Sequence, residues 1–368
     1  MVRVLLSAVV LAQPMGGVRR HNAELLPRVA RILREKGGAL AVLEGREKIP
    51  FELPDFVERI PSSVPAHPVI ARATLEGRAL RRALEAATSA GARFDLVHTG
   101  HLPVPRHLKT PHCVTIHDLR ALELEHTPLS RRLIARKVIG AAVEAAAMVI
   151  TVSQHVREQL LARFRLHPDR VRVVPNAADH FIALPRAVGA NAALLHVGHV
   201  ERRKNLEVVV RALALDPTLP RLCLAGDAKH GEDERLRELA RELGVLARVE
   251  FIGPFADERL AELLANAACM VLPSRLEGFG IPALEACRAR VPLAISRTPA
   301  LLEVAGSDTP SFAPDDPAEC ASAIRAALAL PASTLDAAAG AAARFAWDSS
   351  ARLLADAWRA AAGEATTS

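Results

Sequence analysis

Short apolar runs alternate with amphipathic stretches along the chain. The runs are Val2–Val10, Gly38–Leu43, Phe94–His98, Cys113–Ile116 and Met148–Val152 in the first half. In the second they are Ala193–Val197, Arg221–Ala225, Val249–Ile252, Ala268–Leu272 and residues 291–296. They are continuous rather than alternating, as expected of strands buried on both faces of a parallel sheet. Stripes at helical spacing predict helices between them: His21–Glu35 (Leu25, Leu26, Val29, Ile32), Arg72–Ala90, 128–147, Ser153–Phe164, Asn205–Ala214, Asp233–Leu243 with Gly244 as C-cap, and Ser349–Ala361. Residues 44–70 are proline-rich and predict only loop. Strand–helix alternation, twice over in 368 residues, predicts an α/β protein with two doubly wound, Rossmann-like domains. A composition shift at 180–192 marks the expected linker, giving domains 1–182 and 183–348.

In such a sheet, ligands bind outside the carboxyl ends of the strands. The most telling stretch there is Pro273–Ala286, P-S-R-L-E-G-F-G-I-P-A-L-E-A, after the strand Ala268–Leu272. Gly278 and Gly280 break the chain into a loop, and Pro282 signals a helix start. A strand, a glycine-rich turn and a helix N-terminus together present free N–H groups and a positive dipole end to an anion. Glu277 stands in the loop and Glu285 about one turn inside the helix. They should face different parts of one elongated ligand, which excludes a glycosidase-type acid/base pair acting across one bond. Glu285 suits a ribose diol and Glu277 a second polyhydroxylated group.

Three other stretches fall at strand ends. Gly16 and Gly17 follow the first strand; His117-Asp118 closes Cys113–Ile116; Arg202, Arg203 and Lys204 lie in the loop after Ala193–Val197. Three adjacent cations with only Glu201 nearby suit a diphosphate.

Composition narrows the class. The net charge of +6 suits phosphate-bearing ligands or an anionic membrane surface. Scattered cations and 3% aromatics exclude a stacking platform for nucleic acid. Five dispersed cysteines without C-x-x-C read as buried hydrophobes in a reducing compartment, and not as a zinc site. No G-x-S-x-G elbow supports a serine hydrolase. The N-terminal apolar run leads straight into a Gly-Gly turn and is read as a strand, not a signal peptide. The helix 128–147 places Arg131, Arg132, Arg136 and Lys137 beside Leu133, Ile134, Val138 and Ile139. It is read as an ordinary amphipathic helix that could also dock on an anionic membrane.

E-G-F-G-I-P-A-L-E-A resembles the Glu-x(7)-Glu motif of retaining GT-B glycosyltransferases of family 4, which include bacterial mannosyl- and glucosyltransferases. G-H-V-E-R-R-K-N resembles the family's phosphate loop, T-I-H-D-L its His-Asp position, V-R-V-V-P-N-A-A-D its V-x-V-I-P-N-G-V-D stretch, and the Gly-Gly loop its opening loop. His199 stands where arginine is common, and Ala177 where glycine is usual.

The resemblance implies a GT-B fold, with an acceptor-side first domain rejoined by the C-terminal helix 349–368, and transfer of a hexose, mannose favoured, from a nucleotide-diphosphate sugar. It assigns catalysis to Glu277, His117, Lys204 and Arg203. Donor binding goes to Gly16, Gly17, Arg203, Lys204, Ser274, Gly278, Phe279, Gly280, Ile281 and Glu285. It implies no metal and no cofactor beyond the sugar nucleotide, and no Asp-x-Asp occurs in the chain. The implied partners are that donor and an acceptor whose identity stays open. The implied place is the cytoplasm, with peripheral membrane contact. Two alternatives share the fold: a catalytically silent nucleotide- or glycan-binding module and a sugar-nucleotide epimerase.

Overall fold

The computed structural model describes residues 1–13, 16–105, 108–123 and 128–363. Pro14 and Met15 of the opening loop, and residues 364–368 of the expected last helix, lie outside them. The chain divides into two compact units, 1–176 with 347–368, and 177–346.

The first unit runs β1 (Arg3–Ser7), α1 (Gly17–Glu35), β2 (Ala39–Leu43), β3 (Glu58–Ile60), α2 (Val69–Ser89), β4 (Leu96–Thr99), β5 (His112–Ile116), α3 (Arg120–Glu123), α4 (Leu129–Ala145), β6 (Met148–Thr151), α5 (Gln154–Arg163) and β7 (Val171–Val173). All neighbours are parallel, in the order β3-β2-β1-β4-β5-β6-β7. The chain leaves β1 towards β2 and later returns to β1's other side with β4, so the topological switch point lies between β1 and β4.

The first apolar run is a strand only to Ser7. Beyond it Ala8–Leu11 stay buried but turn, with Leu11 N–H donating to Ala8 O at 2.9 Å. The stripe of α1 is turned so that Leu33, rather than Ile32, is buried. The proline-rich 44–70 segment contains β3, three residues too short for a periodicity to show.

The second unit runs β8 (Leu194–Val197), α6 (Leu206–Leu215), β9 (Leu222–Ala225), α7 (Glu232–Glu242), β10 (Val249–Gly253), α8 (Arg259–Asn266), β11 (Cys269–Leu272), α9 (Ile281–Arg288), β12 (Leu293–Ser296), α10 (Pro299–Ala305), β13 (Ser311–Phe312), α11 (Pro317–Leu328) and α12 (Ala332–Ala342). Its parallel order is β10-β9-β8-β11-β12-β13, with the switch point between β8 and β11. Leu194, Leu222, Val271, Ala294 and Phe312 pack from five strands against Val209, Leu213 and Ile324 of α6 and α11.

The segment expected as a linker belongs to this second unit. Arg186 donates to the carbonyls of Leu264 and Ala267 at 2.5 Å each, and Ala187 N–H donates to Ala265 O at 2.9 Å. The division therefore falls at 176/177 and 346/347, not at 182/183 and 348/349.

The last helix, α13 (Trp347–Ala361), joins the first unit against α1, β5 and β6. Its Trp347 and Trp358 are fully buried. No single helix among the described residues is long and apolar enough to cross a membrane.

Candidate active site

The carboxyl edge of the second sheet is closely packed. A Cβ on Gly226, whose φ is 151°, would lie 1.9 Å from the carbonyl oxygen of Gly198, so only glycine lets the ends of β8 and β9 approach this closely. From β8 the chain enters a 3-10 turn, Arg202–Lys204, closed by Asn205 in the left-handed conformation. The Asn205 amide donates to Pro273 O at 3.2 Å and to Pro314 O at 2.7 Å. Arg275 N–H donates to Arg203 O at 2.9 Å, and Ser296 Oγ to Ser274 O at 2.5 Å. The cationic turn and the glutamate loop are thus stapled together at the switch point. Asn205, next in chain to the cations, carries that stapling through contacts that sequence spacing does not show.

Glu277 is the hub. Lys204 Nζ lies 2.5 Å and Ser274 Oγ 2.8 Å from its Oε1, and Arg203 Nη1 lies 3.4 Å from its Oε2. Arg203 also pairs with Glu201 at 2.8 Å. Burial pushes the Glu277 carboxyl up, but Lys204, then Arg203 and the Ser274 hydroxyl, outweigh it and hold the group at about 2. His199, just past β8, is held below its ordinary value by burial first and then by Lys229. The lasting positive charges of this loop are therefore Arg202, Arg203 and Lys204, of which the last two face Glu277.

Gly278, Phe279, Gly280 and Ile281 lead into α9. Gly280 caps it at φ 108°, where a Cβ would meet Leu301 Cδ2 at 2.6 Å. The Phe279 ring packs inward on Phe345 at 5.6 Å, leaving its backbone on the loop. Glu285 is 5% exposed and takes His180 Nε2 on Oε1 at 3.0 Å. His180 falls in the segment read as linker. Its partner lies 105 residues on, and only the tertiary fold pairs them. His196 on β8 is buried, with Nδ1 3.2 Å from Val271 O; Nε2 has no partner among the described residues. A Cβ on Gly198 would be 3.8 Å from that Nε2 and 4.0 Å from Lys204 Cε, which places both beside the same turn.

The remaining predicted residues belong to the first unit. Gly16 caps α1 at φ 49° and Gly17 begins it. His117 follows β5, with Nε2 buried and unpartnered among the described residues. Its ring stands edge-on to His21 at 4.9 Å. His21 Nδ1 meets Asn176 Oδ1 at 2.7 Å, and burial holds His21 down at about 4. Burial, then His21, His98 and Arg120, hold His117 well below its ordinary value, so it acts as a neutral imidazole. Asp118 takes Arg120 N–H at 3.1 Å and shapes the turn. Asn176, part of the V-R-V-V-P-N-A-A-D stretch but given no role by motif reasoning, holds the His21 ring that His117 abuts.

A family model for group 1 glycosyl transferases matches residues 186–344, and one for glycosyltransferase family 4 matches residues 15–180. The D-inositol 3-phosphate glycosyltransferase of Acidothermus cellulolyticus is 32% identical over 63% of this chain, which spans 58% of that protein's length. The O-antigen chain mannosyltransferase B of Escherichia coli is 25% identical over 83% of this chain and 85% of its own. Among solved structures, sucrose-phosphate synthase from Thermosynechococcus elongatus superposes with a TM-score of 0.78 at 21% identity, over 98% of this chain and 99% of that one, a likeness of fold. With both halves matched in order on paired parallel sheets, the chain belongs to the GT-B glycosyltransferases that join a family 4 half to a group 1 half.

Proposed function

We propose that the chain transfers a hexose, mannose in preference, from a nucleotide-diphosphate sugar to a glycan, lipid-linked or small-molecule acceptor, with retention of configuration and without a metal. The observation that carries this reading is the cluster of Lys204, Arg203 and Ser274 around Glu277, at a switch point and beside the α9 N-terminus. Lys204, Arg203 and that helix start stabilise the departing diphosphate electrostatically. Glu277, held ionised, orients the sugar hydroxyls. Glu285 holds the ribose through the carboxylate oxygen that His180 leaves open. His117, as a neutral imidazole, contacts the transferred sugar.

The anomeric C–O bond to the diphosphate breaks while the acceptor oxygen bonds to that carbon from the same face. The acceptor proton passes to the departing phosphate oxygen. The mannosyltransferase relative supports the choice of sugar. Five free, buried thiols fit a reducing compartment such as the cytoplasm. On α4, exposed Leu129, Leu133 and Ile134 beside exposed Arg131, Arg136 and Lys137 fit peripheral contact with an anionic membrane.

The test is a binding and turnover screen against GDP-mannose, UDP-glucose and UDP-GlcNAc, with EDTA present. Binding of one donor with slow, EDTA-resistant release of its sugar is expected. No binding to any of the three would point instead to a silent glycan-binding module or to a donor outside the panel.

A further inference from the structure

The first unit buries a charged network that the transfer reading does not use, at its own switch point. Ser7 ends β1, and His101 lies two residues past the end of β4. Between them reaches Glu76 of α2, with no exposed surface. Ser7 Oγ donates to Glu76 Oε1 at 2.6 Å, and His101 Nε2 lies 2.9 Å from Oε2. Arg72, one turn earlier on α2, holds Nε 4.0 Å from Oε2 and donates to Ala66 O at 3.1 Å and Leu102 O at 2.6 Å. Burial pushes the Glu76 carboxyl up, and His101, Ser7 and Arg72 together pull it down further, so it is a carboxylate near neutral pH.

A carboxylate only accepts, so the Nε2 facing it carries the proton. When the ring is neutral, its lone pair is then on Nδ1. That atom is buried, and it has no partner among the described residues. A buried ion network gains little stability over apolar packing. What this one achieves is a fixed imidazole tautomer, with one unused acceptor at the sheet edge where such folds take ligands.

We propose that Ser7, Glu76 and His101 form a recognition subsite for a neutral polyhydroxylated ligand, in which His101 Nδ1 accepts from a ligand hydroxyl. Under the glycosyl-transfer reading, on which the choice of ligand class rests, that ligand is the acceptor, held by a hydroxyl other than the one that reacts. The network fixes the ring, and the ring selects a donor group at one point. An ether or deoxy sugar at that point leaves Nδ1 unpaired and is rejected.

The probes are myo-inositol and methyl α-D-mannopyranoside, titrated at millimolar concentration in mildly alkaline buffer. The readout is the imidazole ¹H–¹⁵N signals of His101, assigned against Glu76→Gln/His101→Phe. At least one polyol should shift those signals saturably. A single His101→Phe variant strands a buried carboxylate and could fail to fold, so affinity is compared in the same double variant, which removes the charge with the ring. Polyol affinity there should fall about ten-fold or more, the scale of one lost hydrogen bond to a buried acceptor. If neither polyol moves the His101 signals, Nδ1 is served by water and the proposal fails. It fails equally if the folded double variant binds the polyol as the wild type does. Donor binding on the same samples separates the two readings. A protein that binds polyol through His101 but no sugar nucleotide overturns the transferase reading alone. A protein that binds sugar nucleotide with an unresponsive His101 ring overturns this subsite alone.

Discussion

Lys204 and Glu277 each hold the other in place, so neither can be removed alone without cost. The Lys204 and Glu277 side chains are 9% and 12% exposed. Lys204→Ala strands a buried carboxylate and is expected to destabilise the second unit by about 3 kcal/mol. Lys204→Met/Glu277→Gln should recover most of that loss; paired urea melts of the two variants decide it. Glu277→Gln keeps the size and one acceptor oxygen but removes the counter-charge of Lys204, so the fold should persist at lower stability and nucleotide affinity survive while transfer drops by about 10²–10³-fold. Steady-state sugar transfer beside nucleotide calorimetry gives both numbers, and equal losses in each would make Glu277 a binding residue only. At this scale the sequence was readable where chemistry sits in one local run, as with Glu277, Ser274 and the Arg203-Lys204 pair. It was unreadable where two distant residues meet. Nothing near His180 announces Glu285, and nothing in the run Arg72–Ala90 marks Glu76 as buried.

Among the elements, α9 depends most on one backbone angle. Gly280 supplies φ 108° at its start, and Leu301 of α10 fills the space where a Cβ would go. Gly280→Ala should therefore cost about 1–3 kcal/mol through strain and the displaced leucine. It should also weaken nucleotide binding, because the turn that aims the helix N-terminus moves with it. Chemical denaturation together with nucleotide titration checks this; an unchanged midpoint would mean that Leu301 gives way freely. Fully buried strands were readable as apolar runs. Not readable were β3 and β13, three and two residues long, because a pairing that brief leaves no period. The 180–192 segment misled for a different reason. Its composition is loop-like, yet Arg186 and Ala187 are hydrogen-bonded to the end of α8, and composition does not record where a backbone donor finds its acceptor.

Across the whole molecule, buried histidines set the response to acid. Burial first, with neighbouring charges in several cases, lowers His21, His112 and His196 to about 4 and His98 to about 3. Each is neutral when folded and binds its proton more readily when unfolded. Between the ordinary value near 6.5 and these lowered ones the unfolded chain holds more protons, so stability falls as pH falls through that window. Each unit of separation corresponds to about 1.4 kcal/mol per histidine. The melting temperature should be level above about pH 7 and drop steeply towards pH 4.5, as a calorimetric series would record. A flat profile across that range would mean that these rings are solvated. The fold class was readable because strand–helix alternation repeats over the full length. The closing of the first unit by α13 was expected only through family likeness, since the helix itself shows an apolar stripe and no address. In the structure Trp358 Nε1 donates to His98 Nδ1 at 2.8 Å, and the Trp347 ring lies 6.4 Å from that of His21. This return of the chain to its first unit sets an order on synthesis. Residues 177–346 form an unbroken stretch that leaves the ribosome before α13, whereas the first unit, begun before them, lacks both tryptophans until they have been made. The half made first is the half completed last.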